Sequence, residues 1–209
     1  VTILNCSRDR IVDPPIRPPR TLNGDISGSL TRENSPYIVT DDIRINTQDS
    51  LILEPGTQLF FKNGTYLAVS GNLQVNGKAN LPVIFKSNSP DSTWRGIHLQ
   101  NSQGLSSFRF CIIEGVRIDY IDTLNFGALS LTESSAVIQN SVFRSNYAQN
   151  GGAVAARNSQ LDITNSLFLE NDCVVFGGAV FALESSLNFI NNTVYGNNCT
   201  NVGGGVVLY

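Results

Sequence analysis

From Gly127 onward the chain reads as short apolar or alternating stretches, each broken by Gly, Asn or Ser. In one unit these are Val154-Ala155-Ala156, Leu161-Asp162-Ile163 and Ser166-Leu167-Phe168. In the next, Val180-Phe181-Ala182-Leu183, Leu187-Asn188-Phe189 and Thr193-Val194-Tyr195 take their places. The runs are rich in β-branched and aromatic residues and alternate at the period of a strand. No unit contains the roughly 10–12 residues of 3.6-residue periodicity that a helix needs. Each unit therefore predicts about three short strands joined by three turns.

The units repeat. Gly127-Ala128, Gly152-Ala153, Gly178-Ala179 and Gly204-Gly205 follow one another at spacings of 25, 26 and 26 residues. Within each unit a second motif, beginning at Asn140, Asn165 and Asn192, runs into a third ending at Asn146, Asn171 and Asn198. A fixed period of this size marks a solenoid. A three-stranded coil cannot bury an apolar face alone, but it can when stacked on copies of itself at about 4.8 Å. The expected fold is all-β: a right-handed parallel β-helix of about six to seven coils over residues 35–209, with regular 25–26-residue coils from 127 onward. Gly-Gly marks corners that need positive φ or have no room for a Cβ. Asn suits left-handed corners, and the Asn140, Asn165, Asn192 column is read either as an amide ladder or as plain turn chemistry.

Upstream, Tyr37–Ile45 aligns with Tyr66–Val75 at a spacing of 30, setting Val39 beside Val69, Ile43 beside Leu73 and Ile45 beside Val75. The interval from Gly96 to Gly127 is 31 residues, so a loop is expected to protrude between Arg117 and Phe126. Residues 1–34 contain Asp13-Pro-Pro-Ile-Arg-Pro-Pro-Arg20, which cannot donate to a ladder. They read as an extended Pro-rich arm, either linker or strap over the first coil.

Composition sharpens this picture. Only 15% of residues are charged, whereas Asn and Ser number 23 and 21. Uncharged amides and hydroxyls suit in-register stacking, where like charges would repel. A net charge of −3 excludes an electrostatic footprint for nucleic acid. No apolar run approaches the ~18 residues of a membrane span, so no membrane insertion by this segment is expected. Sequons at Asn5, Asn63, Asn191 and Asn198 are candidate glycosylation sites. Their number matches chance for this Asn, Ser and Thr content, so they carry no signal for secretion.

The Gly-Gly-Ala-Val motifs at 151–154 and 177–180, interleaved with Phe143–Asn146, Phe168–Asn171 and Tyr195–Asn198, resemble the GGA(I/L/V) and FxxN repeats of polymorphic outer membrane proteins, which are β-helical surface adhesins. The resemblance covers about residues 127–209. The stretch Ser35–Asn88 with Trp94–Leu99 is similar to the opening coils of bark beetle-type extracellular proteins, and the whole to the pectin-lyase-like superfamily. The resemblance implies an extracellular or cell-surface, mostly non-enzymatic module serving adhesion or assembly within a larger protein. It implies two alternatives: a carbohydrate-active lyase or hydrolase of the same scaffold, and a purely structural subunit of an extracellular assembly.

The residues for such an enzyme do not assemble in the sequence. Asp41-Asp42 is the only adjacent carboxylate pair, and neighbours on a strand point to opposite faces. The single histidine, His98, is expected to point outward between inward Ile97 and Leu99. Asp119 and Asp122 on the expected loop offer a weak candidate metal site, and Trp94 and Tyr120 are candidate carbohydrate contacts, with Trp94 read chiefly as packing against a loop. No nucleophile, metalloprotease or phosphate-loop motif occurs, and no catalytic residue, cofactor or enzymatic activity is expected.

Cys173 and Cys199 are 26 residues apart, as are Gly177 and Gly203, so they occupy equivalent places on adjacent coils. Stacking brings such Cα atoms into the disulfide window of about 4.4–6.8 Å, and this pair is expected to bridge in an oxidising compartment. Cys6 reaches Cys111 only if the arm folds back along the coils; otherwise each is free or bridges to another chain. The last strand, Val206–Leu208, is expected to leave one side uncovered, so that the molecule continues or a protein partner or second copy completes that end.

Overall fold

The computed structural model describes residues 19–119 and 127–209. Its strands stack in parallel into a β-solenoid of about seven turns. Three faces wind around one core, and the inward residues of every strand stack on their equivalents in the next coil. Tyr37–Ile45 rounds a corner, so its first half pairs with Gln58–Phe61 and its second half with Leu67–Val69. That strand joins two faces into one 14-stranded sheet. A seven-stranded sheet forms the third face, and Tyr147–Asn150, Asp172–Phe176 and Asn198–Cys199 form a separate three-stranded sheet over the later coils.

The core is a set of columns. On one face Leu59, Phe85, Ile113 and Phe143 lie in register, all fully buried, and Phe143 stacks on Phe168 with ring centroids 5.3 Å apart. On the next face Leu67, Ile97, Leu129, Val154 and Val180 do the same.

Corners carry the left-handed residues that the sequence called for. Asn140, Asn165 and Asn191 share φ of 51°, 52° and 54°. At the Gly-Gly corner Gly151, Gly177 and Gly203 take positive φ. A Cβ on Gly152 would run into the Gly178 carbonyl and lie 2.5 Å from that of Asp172. The first glycine supplies conformation and room alike, since a Cβ on Gly151 or Gly177 would run into the carbonyl of Val154 or Val180; the second supplies room.

Inside the corners run side-chain ladders. Asn146 Nδ2 donates to Asn171 Oδ1 at 2.9 Å, and Asn171 Nδ2 to Asn197 Oδ1 at 2.8 Å. The same amide groups donate to the carbonyls of Ile113, Phe143 and Phe168. At another corner the N–H groups of Cys111, Ser141 and Ser166 donate to Ser141 Oγ, Ser166 Oγ and Asn192 Oδ1. At the third, those of Ser102, Ser134 and Ser159 donate to Ser134, Ser159 and Ser185 Oγ. Backbone donors left over where each strand ends thus find partners one coil on.

Two registers differ from expectation. Ile43 and Ile45 pair with Leu67 and Val69, at a spacing of 24, and not with Leu73 and Val75. The latter two pair with Leu51 and Leu53 on a different face. The upstream strand turns its corner at Asp41-Asp42 while still paired, whereas the later one breaks at Ser70-Gly71. A register shift between Ala148 and Asn150 places the extra residue of the 26-residue coil at Cys173–Phe176. Every later pair is then offset by 26, which brings Asn191, not Asn192, over Asn165 and Asn197, not Asn198, over Asn171. The amide ladder accordingly lies in the Asn146 column, while the Asn140 column is turn chemistry. Finally, strands begin before residue 35: Arg20–Asp25 pairs with Tyr37–Ile45, and Gly28–Leu30 with Ser50–Leu53. Residues 1–18, including most of the Pro-rich run, lie outside the described residues.

Candidate functional site

Among the described residues the chemistry-bearing side chains do not converge. His98 points away from the core as expected, yet it is only 8% exposed, its ring 5.5 Å from that of Tyr66. Trp94 is fully buried against Phe61 at 4.2 Å and donates Nε1–H to the Glu114 carbonyl, which excludes it as a carbohydrate contact. Asp42 is bound to backbone, its Oδ1 accepting from Tyr66 N–H. Asp119 is exposed and paired with Arg117 at 3.2 Å; Tyr120 and Asp122 lie outside the described residues, as does the expected loop beyond Asp119. Among the described residues no group of three or more His, Cys, Asp or Glu side chains could hold a metal ion, and no helix is long and apolar enough to cross a membrane.

Cys173 and Cys199 are register partners with Cα atoms 4.5 Å apart, joined as a disulfide. Cys111 is free and buried, and its thiol donates to Ser141 Oγ at 3.4 Å. Burial pushes its pKa up to about 12, against the opposing pull of the Ser141 hydrogen bond. Cys6 lies outside the described residues. Of the sequons, Asn63, Asn191 and Asn198 are exposed; Asn63 Oδ1 accepts from Thr93 N–H and hydroxyl, and Asn5 lies outside the described residues.

The outer surfaces differ by face. The seven-stranded sheet shows a mostly polar outward column, in which Gln74, Ser107, Asp162 and Asn188 are joined by Ile52 and Val137. The face built from Gln58–Phe61, Val83–Ser87, Cys111–Glu114, Val142–Arg144 and Leu167–Leu169 does not. There Ile84, Ile112, Val142 and Leu167 form a half-buried apolar column on the outside of the sheet. Beside it runs a mixed column of Ile38, Phe60, Lys86, Glu114, Arg144 and Leu169. Lys86 Nζ sits 4.7 Å over the Phe60 ring, and Arg144 Nε meets Glu114 Oε2 at 2.6 Å. At the strand ends the Asn88–Thr93 loop walls a groove of about 430 Å³ over Phe60, Lys86 and Glu114. This face escaped the sequence reading, although a signal exists. Val83-Ile84-Phe85, Cys111-Ile112-Ile113 and Leu167-Phe168-Leu169 are unbroken apolar runs where a strand with a solvated face should alternate.

A second groove, of about 360 Å³, lies between the three-stranded sheet and the main wall, lined by Val175, Phe176, Phe181 and Leu183 among others. The terminal coil is the other apolar surface. No charged residue follows Glu184. Val194, Val206 and Leu208 occupy inward positions there yet are 37%, 38% and 61% exposed.

With this geometry in view, comparison with protein-family models, curated proteins and solved structures gives no match for the chain.

Proposed function

We propose that this chain is a non-catalytic, extracellular or cell-surface β-helix module, a rigid rod whose sides and end serve adhesion or assembly, in the manner of the polymorphic outer membrane protein and bark beetle-type modules its repeats resemble. The observation that carries the reading is the unbroken stack of about seven turns. Internal Asn and Ser ladders and a disulfide on the last coil brace it. Such a column transmits force and position along its length and presents regular outer faces. The disulfide suits an oxidising compartment, and exposed Asn63, Asn191 and Asn198 would accept glycans there.

The test is a solid-phase assay. Immobilised protein is expected to retain cells or extracellular matrix proteins, and to release no fragments from a panel of acidic and neutral polysaccharides. Turnover of any polysaccharide would overturn the reading in favour of a carbohydrate-active enzyme.

A further inference from the structure

The face with the unbroken apolar runs carries an inference that goes beyond the reading above and does not rest on it. On a solvated sheet face, outward positions should be polar. Here Ile84 and Ile112 stand on adjacent coils, continued by Val142 and Leu167, and no described residue packs over them as a layer. The mixed column beside them has a particular order. Read along the solenoid from Ile38 to Leu169, it runs apolar, aromatic, cation, anion, cation, apolar.

That order is complementary to itself when reversed about the midpoint between Lys86 and Glu114. Lys86 then meets Glu114 of a second copy, and Glu114 meets Lys86. Phe60 meets Arg144, an aromatic face for a guanidinium. Ile38 meets Leu169, apolar on apolar. No position sets like charges together. The reversal is what a two-fold axis parallel to the strands produces: two sheet faces packed with their solenoid axes antiparallel. The same axis sets Ile84 opposite Ile112 at the centre of the apolar column, and Val142 opposite Gln58, the residue in register before Ile84. An isologous contact of this kind requires a self-complementary patch.

We propose that this face is a lateral homodimer interface, with a second copy of this chain as its occupant. Within one copy the charges are only partly used. Glu114 holds Arg144, while Lys86 lies over Phe60 and forms no ion pair among the described residues. The second copy supplies Lys86 with a carboxylate and turns each Glu114–Arg144 pair into a cation–anion–cation cluster. Size sets the strength. Five coil steps of about 4.8 Å by two outward columns expose an area below the ~800 Å² per partner of a standard stable interface. The dimer is therefore weak, with Kd on the order of 10⁻⁴ M, and reversible.

Sedimentation equilibrium on the folded chain from about 10 µM to 1 mM reads this directly. The wild type is expected to show a monomer–dimer equilibrium that weakens with salt. Lys86→Glu removes two symmetry-related pairs and sets like charges together, and should weaken the dimer roughly 100-fold. Ile112→Arg on the apolar column should abolish it. The double exchange Lys86→Glu with Glu114→Lys should restore at least about a tenth of the lost affinity, because the cross-copy pairing is re-formed with inverted sign. Circular dichroism confirms that each variant stays folded. A wild type that stays monomeric across the range would overturn the proposal and leave the face to a different protein. A dimer indifferent to both single changes would overturn it in favour of the terminal coil. A double exchange that restores nothing would overturn the two-fold register.

Discussion

Asn146 and Asn171, 25 residues apart, are linked by an amide hydrogen bond of 2.9 Å inside the wall of the solenoid. Each also accepts a backbone N–H from the coil before it, of Val116 and of Asn146 respectively, and donates to a carbonyl there, of Ile113 and of Phe143. Asn171 is fully buried, so no water can substitute. Asn171→Ala should cost about 3 kcal/mol in urea denaturation, since it orphans buried groups on both neighbouring coils. Asn165→Ala, at an exposed corner, should cost under about 1 kcal/mol. Equal effects would mean that the ladder contributes nothing beyond its corner.

The second glycine of the Gly-Gly corner makes a sharper contrast. Gly178→Ala sets a Cβ against the carbonyls of Gly204 and Asn198, both backbone atoms that cannot swing aside. It should destabilise by more than about 3 kcal/mol or abolish soluble expression. Gly205→Ala, where a Cβ meets nothing within 4 Å, should be close to neutral in thermal melts.

The Cys173–Cys199 bridge closes a loop between adjacent coils and pins the coil with the most exposed apolar surface. Its removal by Cys173→Ala with Cys199→Ala should cost about 3 kcal/mol. Hydrogen exchange should accelerate first in residues 186–209 and leave the ladders from Ser102 to Ser166 protected. Uniform acceleration would indicate that the bridge acts on the whole stack.

Cys111 gives a pH dependence of definite sign. Its thiol titrates near 9.0 in the unfolded chain and is pushed up to about 12 by burial in the fold. Folding therefore favours the protonated form. Its contribution is fully present below pH 9 and is lost as pH rises from 9 towards 12, at about 1.4 kcal/mol per pH unit. The difference in stability between wild type and Cys111→Ala should stay flat up to pH 9 and then move in favour of the variant. The same thiol should resist alkylation in native protein and react on unfolding.

Much of the architecture was legible because its causes are local. Glycine and asparagine corners follow from φ, and short alternating runs rule out helix. The 26-residue interval between Cys173 and Cys199 places two side chains on one column. Register was harder. The Asn191-Asn192 and Asn197-Asn198 pairs each offer two candidates for one place, and only the shift between Ala148 and Asn150 decides between them. The Tyr37–Ile45 strand was misaligned because both candidate partners alternate; what separates them is whether a corner breaks the pairing. Trp94 illustrates a third difficulty, since its burial depends on Phe61, a residue 33 positions earlier. The apolar outer column was written in plain view, as runs that fail to alternate, but its meaning depends on knowing which face each run occupies.

In-register stacking of the coils is the claim on which the ladders, the disulfide and the dimer face all depend, and cysteine trapping measures it. Gln139 and Thr164 are register partners on adjacent coils, whereas Gln160 lies opposite Ser135, four residues away along the strand. Under mild oxidation Gln139→Cys with Thr164→Cys should form an intramolecular disulfide, found by peptide mapping, and Gln139→Cys with Gln160→Cys should not. Bridging in the second pair and not in the first would contradict the stacking.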